Sequence, residues 1–197
     1  MFRRRGYVES VQYSPEDFRG ALREVWLAPG RFFRRLDPAG GPIRPAIFAS
    51  IILYLNLLLE AALQALWLRE FNYALIYAPF VGLVVALVLA PLLVAGLTML
   101  VLVVLEGAPS RRSFGPVFRA LGYATGIGFV LWIPYAPLLA LPYGALVATI
   151  AVKETLNAGW SRAAIATLIP LGAVLLILLL LTGPAEAVSF LINPPGS

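Results

Sequence analysis

The chain has 197 residues, 60% of them apolar and 13% charged, with a net charge of +5 and a mean hydropathy of +0.87. Cysteine and histidine are both absent, which excludes disulfides and leaves no thiolate or imidazole for a metal. Such a composition cannot cover a soluble surface, so the basic excess is read as topological and no nucleic-acid partner is expected.

In chain order, the first element is an N-terminal segment over residues 1–44, expected on the cytoplasmic side. Ser14-Pro15-Glu16-Asp17 is a helix start: serine can cap, proline fits the first position, and two acids meet the positive helix end. Phe18, Leu22, Val25 and Trp26 follow at helical spacing on one face, with Arg19 and Arg23 off it. Pro29 opens a second short piece, Arg31-Phe32-Phe33-Arg34-Arg35-Leu36. Aromatics flanked by arginines predict a helix over 14–36 lying in the interface of an anionic leaflet. The contact residues would be Phe18, Leu22, Trp26, Arg31, Phe32, Phe33, Arg34 and Arg35. Packing of the same face on the protein's own inner loops is the alternative. Arg3-Arg4-Arg5 leads into a polar stretch, which is not the pattern of a cleavable signal.

Three stretches then carry no Asp, Glu, Lys or Arg: 71–105, 120–152 and 163–185, and a fourth, 45–68, is interrupted only by Glu60. A run of about 20 apolar residues suffices to cross a bilayer as a helix. The basic residues fix the count. Nine arginines lie between Arg3 and Arg44, three at Arg111, Arg112 and Arg119, and two basic residues at Lys153 and Arg162; only Arg69 falls elsewhere. Loops rich in Lys and Arg stay on the cytoplasmic side, so an even number of crossings must separate the clusters. Five crossings satisfy this, near 45–68, 75–105, 117–133, 137–156 and 162–182, with the N-terminus inside and a tail over 183–197 outside. Pro79 and Pro91 are break points in the second helix, and a re-entrant start over 71–80 competes with a simple crossing. The fold class is all-α, a polytopic membrane bundle of five helices over 45–182.

Asn56, Glu60 and Gln64, four apart in the first crossing, share one helix face. An intramembrane acid is a functional-site hypothesis by default: it can bind a cation, relay a proton or draw a lipid headgroup into a groove. Equally, Glu60 can serve as interhelical glue. Gly82, Ala86 and Ala90 in the second helix, and Ala120, Ala124 and Gly128 in the third, form small-residue faces that let backbones approach. Gly122-x-x-x-Gly126-x-Gly128 follows no strand and is not a phosphate loop. Asp17 and Asp37 are the only aspartates, so the reagents of intramembrane hydrolysis are missing. No catalytic residue, cofactor or metal is expected.

The order of these pieces resembles the Yip1 family of five-helix membrane proteins, particularly its bacterial branch. Three stretches carry the likeness. Glu24-Val25-Trp26-Leu27-Ala28-Pro29-Gly30-Arg31-Phe32-Phe33 is similar to the family's "P-x-x-x-F" segment before the first crossing. Leu121-Gly122-Tyr123-Ala124 is similar to the glycine–tyrosine start of its third helix. Ala158-Gly159-Trp160-Ser161-Arg162-Ala163 is similar to the loop and Arg-Ala pair that open its fifth. Asp37-Pro38-Ala39-Gly40-Gly41-Pro42 stands where eukaryotic members carry a DLYGP-type motif. The resemblance implies a non-enzymatic protein of the bacterial cytoplasmic membrane. It would organise membrane by binding lipids, anionic ones on the cytoplasmic face, or partner membrane proteins or a second copy of itself. A small transporter, channel or lipid scramblase using a groove with Glu60 is the alternative.

Overall fold

A computed structural model describes residues 15–37, 40–68, 78–107 and 110–182. Every regular element among the described residues is helical, with no strand among them: α1 (Pro15–Leu27), α2 (Pro29–Arg35), α3 (Ile43–Leu68), α4 (Ala78–Glu106), α5 (Arg111–Ala124), α6 (Ala136–Leu156) and α7 (Trp160–Thr182). A 3₁₀ segment, Thr125–Val130, continues α5. Among the described residues three helices are long and apolar enough to cross a membrane: α3 over Ile43–Leu63, α4, and α6. In α7 the described apolar stretch is shorter, Trp160–Val174. Residues 71–77 of the expected re-entrant start, and the Ser14 cap, lie outside the described residues.

The breaks between helices have local causes. Pro29 disfavours helical geometry at the preceding residue, and Ala28 leaves the helix with φ −149° and ψ 55°. The chain restarts at once, because the Ala28 carbonyl accepts from the N–H groups of Arg31 and Phe32 at 3.0 and 3.1 Å. Helix α4 stops at Gly107, whose φ of +75° is the left-handed conformation glycine adopts without strain. Ser110 then caps α5, its hydroxyl accepting from the Ser113 N–H at 3.2 Å. The cap starts α5 six residues before the expected boundary at 117, and the added turn carries Arg111 and Arg112. Further on, the Thr125 hydroxyl donates to the Gly122 carbonyl at 2.6 Å. Such back-bonding competes with α-helical pairing, and the chain tightens into 3₁₀ geometry at this residue.

Contacts between helices fix their directions. Helix α4 runs back along α3: a Cβ on Gly82, near the start of α4, would rest 3.7 Å from Leu57, while Ala90 and Val94, further along, share a core cluster with Ala49 near the start of α3. The Tyr54 hydroxyl donates to the Pro79 carbonyl at 3.3 Å. The buried stripe of α4 is Ala78, Gly82, Ala86, Ala90, Val94 and Thr98, one residue per turn. The α5–3₁₀ unit runs parallel to α3, with Gly122 against Pro45, Gly126 against Phe48 and Gly128 against Ile52. Helices α6 and α7 are joined by the hydroxyls of Thr149 and Thr167, 2.7 Å apart and both buried. The start of α3, the end of α4, the start of α5, the end of α6 and the start of α7 therefore gather at one end. Arg44, Arg112, Lys153 and Arg162 sit there, and it is called the basic end below. The main core, including Ala49, Val94, Leu121, Ala148 and Ala166, ties α3 to α7 together.

Candidate functional site

The two parts of the chain singled out by sequence occupy different places. The first is the α1–α2 hairpin. Its apolar side is spent on the bundle: Val25 is 0% and Phe33 2% exposed, packed with Ala120, Ile127, Val147 and Ala151. Phe18 meets the Phe48 ring at 5.1 Å, and Tyr123 stands between Phe48 and Phe32 at 5.2 and 5.3 Å. Trp26 is tied at both of its polar atoms. Its indole N–H donates to the Gly126 carbonyl at 3.0 Å, and its own carbonyl accepts from the Tyr143 hydroxyl at 2.5 Å. Leu22 reaches the same place, 3.3 Å from where a Gly126 Cβ would be.

The opposite side of the hairpin is mostly polar, although Leu27 is exposed as well. Arg31, Arg34 and Arg35 are exposed. Arg35 pairs with Glu24 at 2.5 Å, and Arg34 lies 4.0 Å from Glu154, which also pairs with Lys153 at 2.7 Å. Lys153 stands 5.0 Å above the Trp160 ring, a cation–π distance. One arginine is inside instead: Arg119 is 4% exposed, with Gly40 close against its guanidinium. A Cβ on Gly40 would lie 3.2 Å from the Arg119 Nη1, so the guanidinium would have to give by a few tenths of an ångström.

The second part is a cavity of about 550 Å³ between α3, α4, the α5–3₁₀ unit, α6 and α7. Asn56 and Glu60 both line it. The Asn56 amide donates back to the Ile52 carbonyl at 2.8 Å, one turn earlier, while its Oδ1 is buried with no partner. Glu60 is exposed at the rim. The side chain of Gln64 lies outside the described residues. Trp132, which sequence reasoning passed over, lines the cavity as well, and its indole N–H is buried with no partner. Its place just ahead of Ile133-Pro134-Tyr135 was the signal available in the sequence. The hydroxyls of Tyr54, Thr98 and Thr125 are each bonded to backbone carbonyls.

The small residues form walls rather than a surface. Gly82, Ala86 and Ala90 are buried, as are Ala120 and Ala124, while Gly128 is half-buried beside the cavity. Among the described residues no three acids come together in a way that could hold a metal.

No curated protein and no solved structure matches the chain. A family model does: the Yip1 domain matches residues 23–182. The match begins inside α1 and ends with α7, so it takes in Trp26 and the helices that Trp26 is bonded to. The chain belongs to the Yip1 family.

Proposed function

We propose that this Yip1 protein acts without catalysis, organising membrane by holding anionic lipid headgroups at its basic end and docking partner membrane proteins there. One observation carries the reading. The α1–α2 hairpin is clamped to the bundle by its apolar side, and Arg31, Arg34 and Arg35 are left exposed. Arginines held on a rigid mount lose less freedom on binding than arginines on a loose tail, and their forks match phosphate.

The same reading includes five crossings with the basic end cytoplasmic. Helix α5 and its 3₁₀ continuation have 14 and 6 residues, together about 33 Å. That is enough for a hydrocarbon core of about 30 Å. The excess of Lys and Arg at one end supports the orientation.

The test is lipid binding by the full-length protein. Purified protein is titrated with phosphatidylglycerol or phosphatidylcholine of identical chains and read by native mass spectrometry. The triple substitution Arg31→Gln, Arg34→Gln and Arg35→Gln is expected to weaken phosphatidylglycerol binding alone. Each charge contributes about 1 kcal/mol near an anionic surface, roughly fivefold in affinity. Added salt should weaken the wild-type preference in the same way. Unchanged phosphatidylglycerol binding by the triple variant would refute the assignment.

A further inference from the structure

The cavity between the helices has no part in the surface reading above. At about 550 Å³ it falls within the roughly 300–1,000 Å³ of sites that enclose a small molecule. Its described lining is almost wholly aliphatic: among those residues four, Asn56, Glu60, Thr125 and Trp132, carry polar side chains. The Thr125 hydroxyl is bonded to the Gly122 carbonyl. Water would find too few partners in the apolar part, and an empty space would cost every lining atom its contacts on one side. In a bilayer the available filler is a hydrocarbon chain.

Polarity is graded along the cavity. Its floor toward the basic end is Ala49, Val94, Leu121 and Ala148, which belong to the closed core. Moving along α3 away from that end, the lining passes Ile52 and Leu53, then Asn56, then Glu60. Trp132 stands beyond the 3₁₀ segment, on the same far side. A buried acceptor (Asn56 Oδ1) and a buried donor (Trp132 Nε1) lack partners, and Glu60 is the single charged residue among the described residues of the lining.

We infer that this cavity holds one acyl chain of an amine-headed phospholipid, tail toward Ala49 and Ala148 and head beside Asn56, Glu60 and Trp132. The pairing is chemical. An ammonium donates to the Asn56 Oδ1 and faces the Glu60 carboxylate, and an ester or phosphate oxygen accepts from the Trp132 indole. Among the described residues of the lining there is no basic side chain to meet a purely anionic head.

Native mass spectrometry of the full-length protein tests this, using phosphatidylethanolamine and phosphatidylglycerol of identical chains on the Arg31→Gln, Arg34→Gln, Arg35→Gln background. That background removes the surface arginines, so failure of the surface reading leaves this result interpretable. One phosphatidylethanolamine should remain bound through detergent washing, favoured about tenfold over phosphatidylglycerol. Ala145→Phe, placed on the cavity wall, should expel it while the protein keeps its melting temperature. Glu60→Gln should retain a bound chain but lose the head preference. Trp132→Phe should weaken retention without unfolding, so the claim stays testable if Ala145→Phe fails to fold. No retained phospholipid, equal retention of both heads by the wild-type lining, or retention unaffected by both Ala145→Phe and Trp132→Phe would overturn it. Binding of detergent alone counts against it too.

Discussion

Gly122 offers a sharp test of how the bundle closes. A Cβ added there would stand 2.8 Å from the Pro45 Cβ, 3.2 Å from its carbonyl oxygen and 3.3 Å from its carbonyl carbon. Ordinary contact begins at 3.4 Å, so α5 or α3 must move. Pro45 cannot swing aside, because it is fully buried in the first turn of α3 and two of the three atoms are backbone. Overpacking of this kind costs about 1–3 kcal/mol, against a gain of about 1 kcal/mol for replacing glycine by alanine in a helix. Gly96, inside α4, has nothing within 4 Å of its Cβ position and should show that gain alone. Gly126 lies between them, since its nearest neighbours at 3.1–3.3 Å are the Phe48 ring and the Leu22 tip. Thermal unfolding of the purified protein in one detergent should therefore rank Gly96→Ala above wild type and Gly122→Ala below it. Gly126→Ala should fall between those two variants. With about 2–4 °C per kcal/mol for a chain of this size, the outer pair should differ by several degrees. Gly122→Ala melting at or above wild type would show that α5 does not rest on Pro45.

Three further outcomes are expected. Trp26→Phe removes the donor to the Gly126 carbonyl, 3.0 Å away; it should cost about 0.5–1.5 kcal/mol and speed amide exchange across residues 15–36, with exchange in α4 unchanged. A double-mutant cycle of Thr149→Val and Thr167→Val should give a coupling near 0.6 kcal/mol, the average for interhelical hydrogen bonds in membranes; zero coupling would mean the 2.7 Å contact contributes nothing. Reporter fusions after Ser197 should lie outside the cell and fusions near Ser113 inside, and a cytoplasmic C-terminus would refute five crossings.

How far the residues alone lead differs from element to element. Charge-free runs make a helical membrane protein legible, since only a helix satisfies its backbone within one such segment. The glycine–tyrosine pair and the proline–aromatic segment pointed to the Yip1 family, and the fold gives them a physical reason. Gly122 admits Pro45, Tyr123 sits between Phe32 and Phe48, and Pro29 sets the bend of the hairpin. The start of α5 was less legible, because a charged, capped turn carries no hydropathy signal. Residues that one face of α1 and α2 would touch were not legible at all. Lipid and protein are both apolar partners for Val25 or Phe33, and only tertiary structure separates them. The Asn56–Glu60 spacing was visible, but not that the Asn56 amide turns back to Ile52, nor that Trp132 comes to the same cavity from 76 residues away.

The double attachment of Trp26 also imposes an order of events on synthesis. Its two hydrogen-bond partners lie 100 and 117 residues further along the chain. At about 5–20 residues per second, the hairpin is made on the order of 6–23 seconds before Tyr143 exists to receive it. During that interval Val25 and Phe33 lack the α6 residues Val147 and Ala151 that pack with them, and the membrane surface is the nearest substitute. Docking of the first helix is therefore among the last steps of assembly, and the hairpin closes over a bundle that must already be inserted.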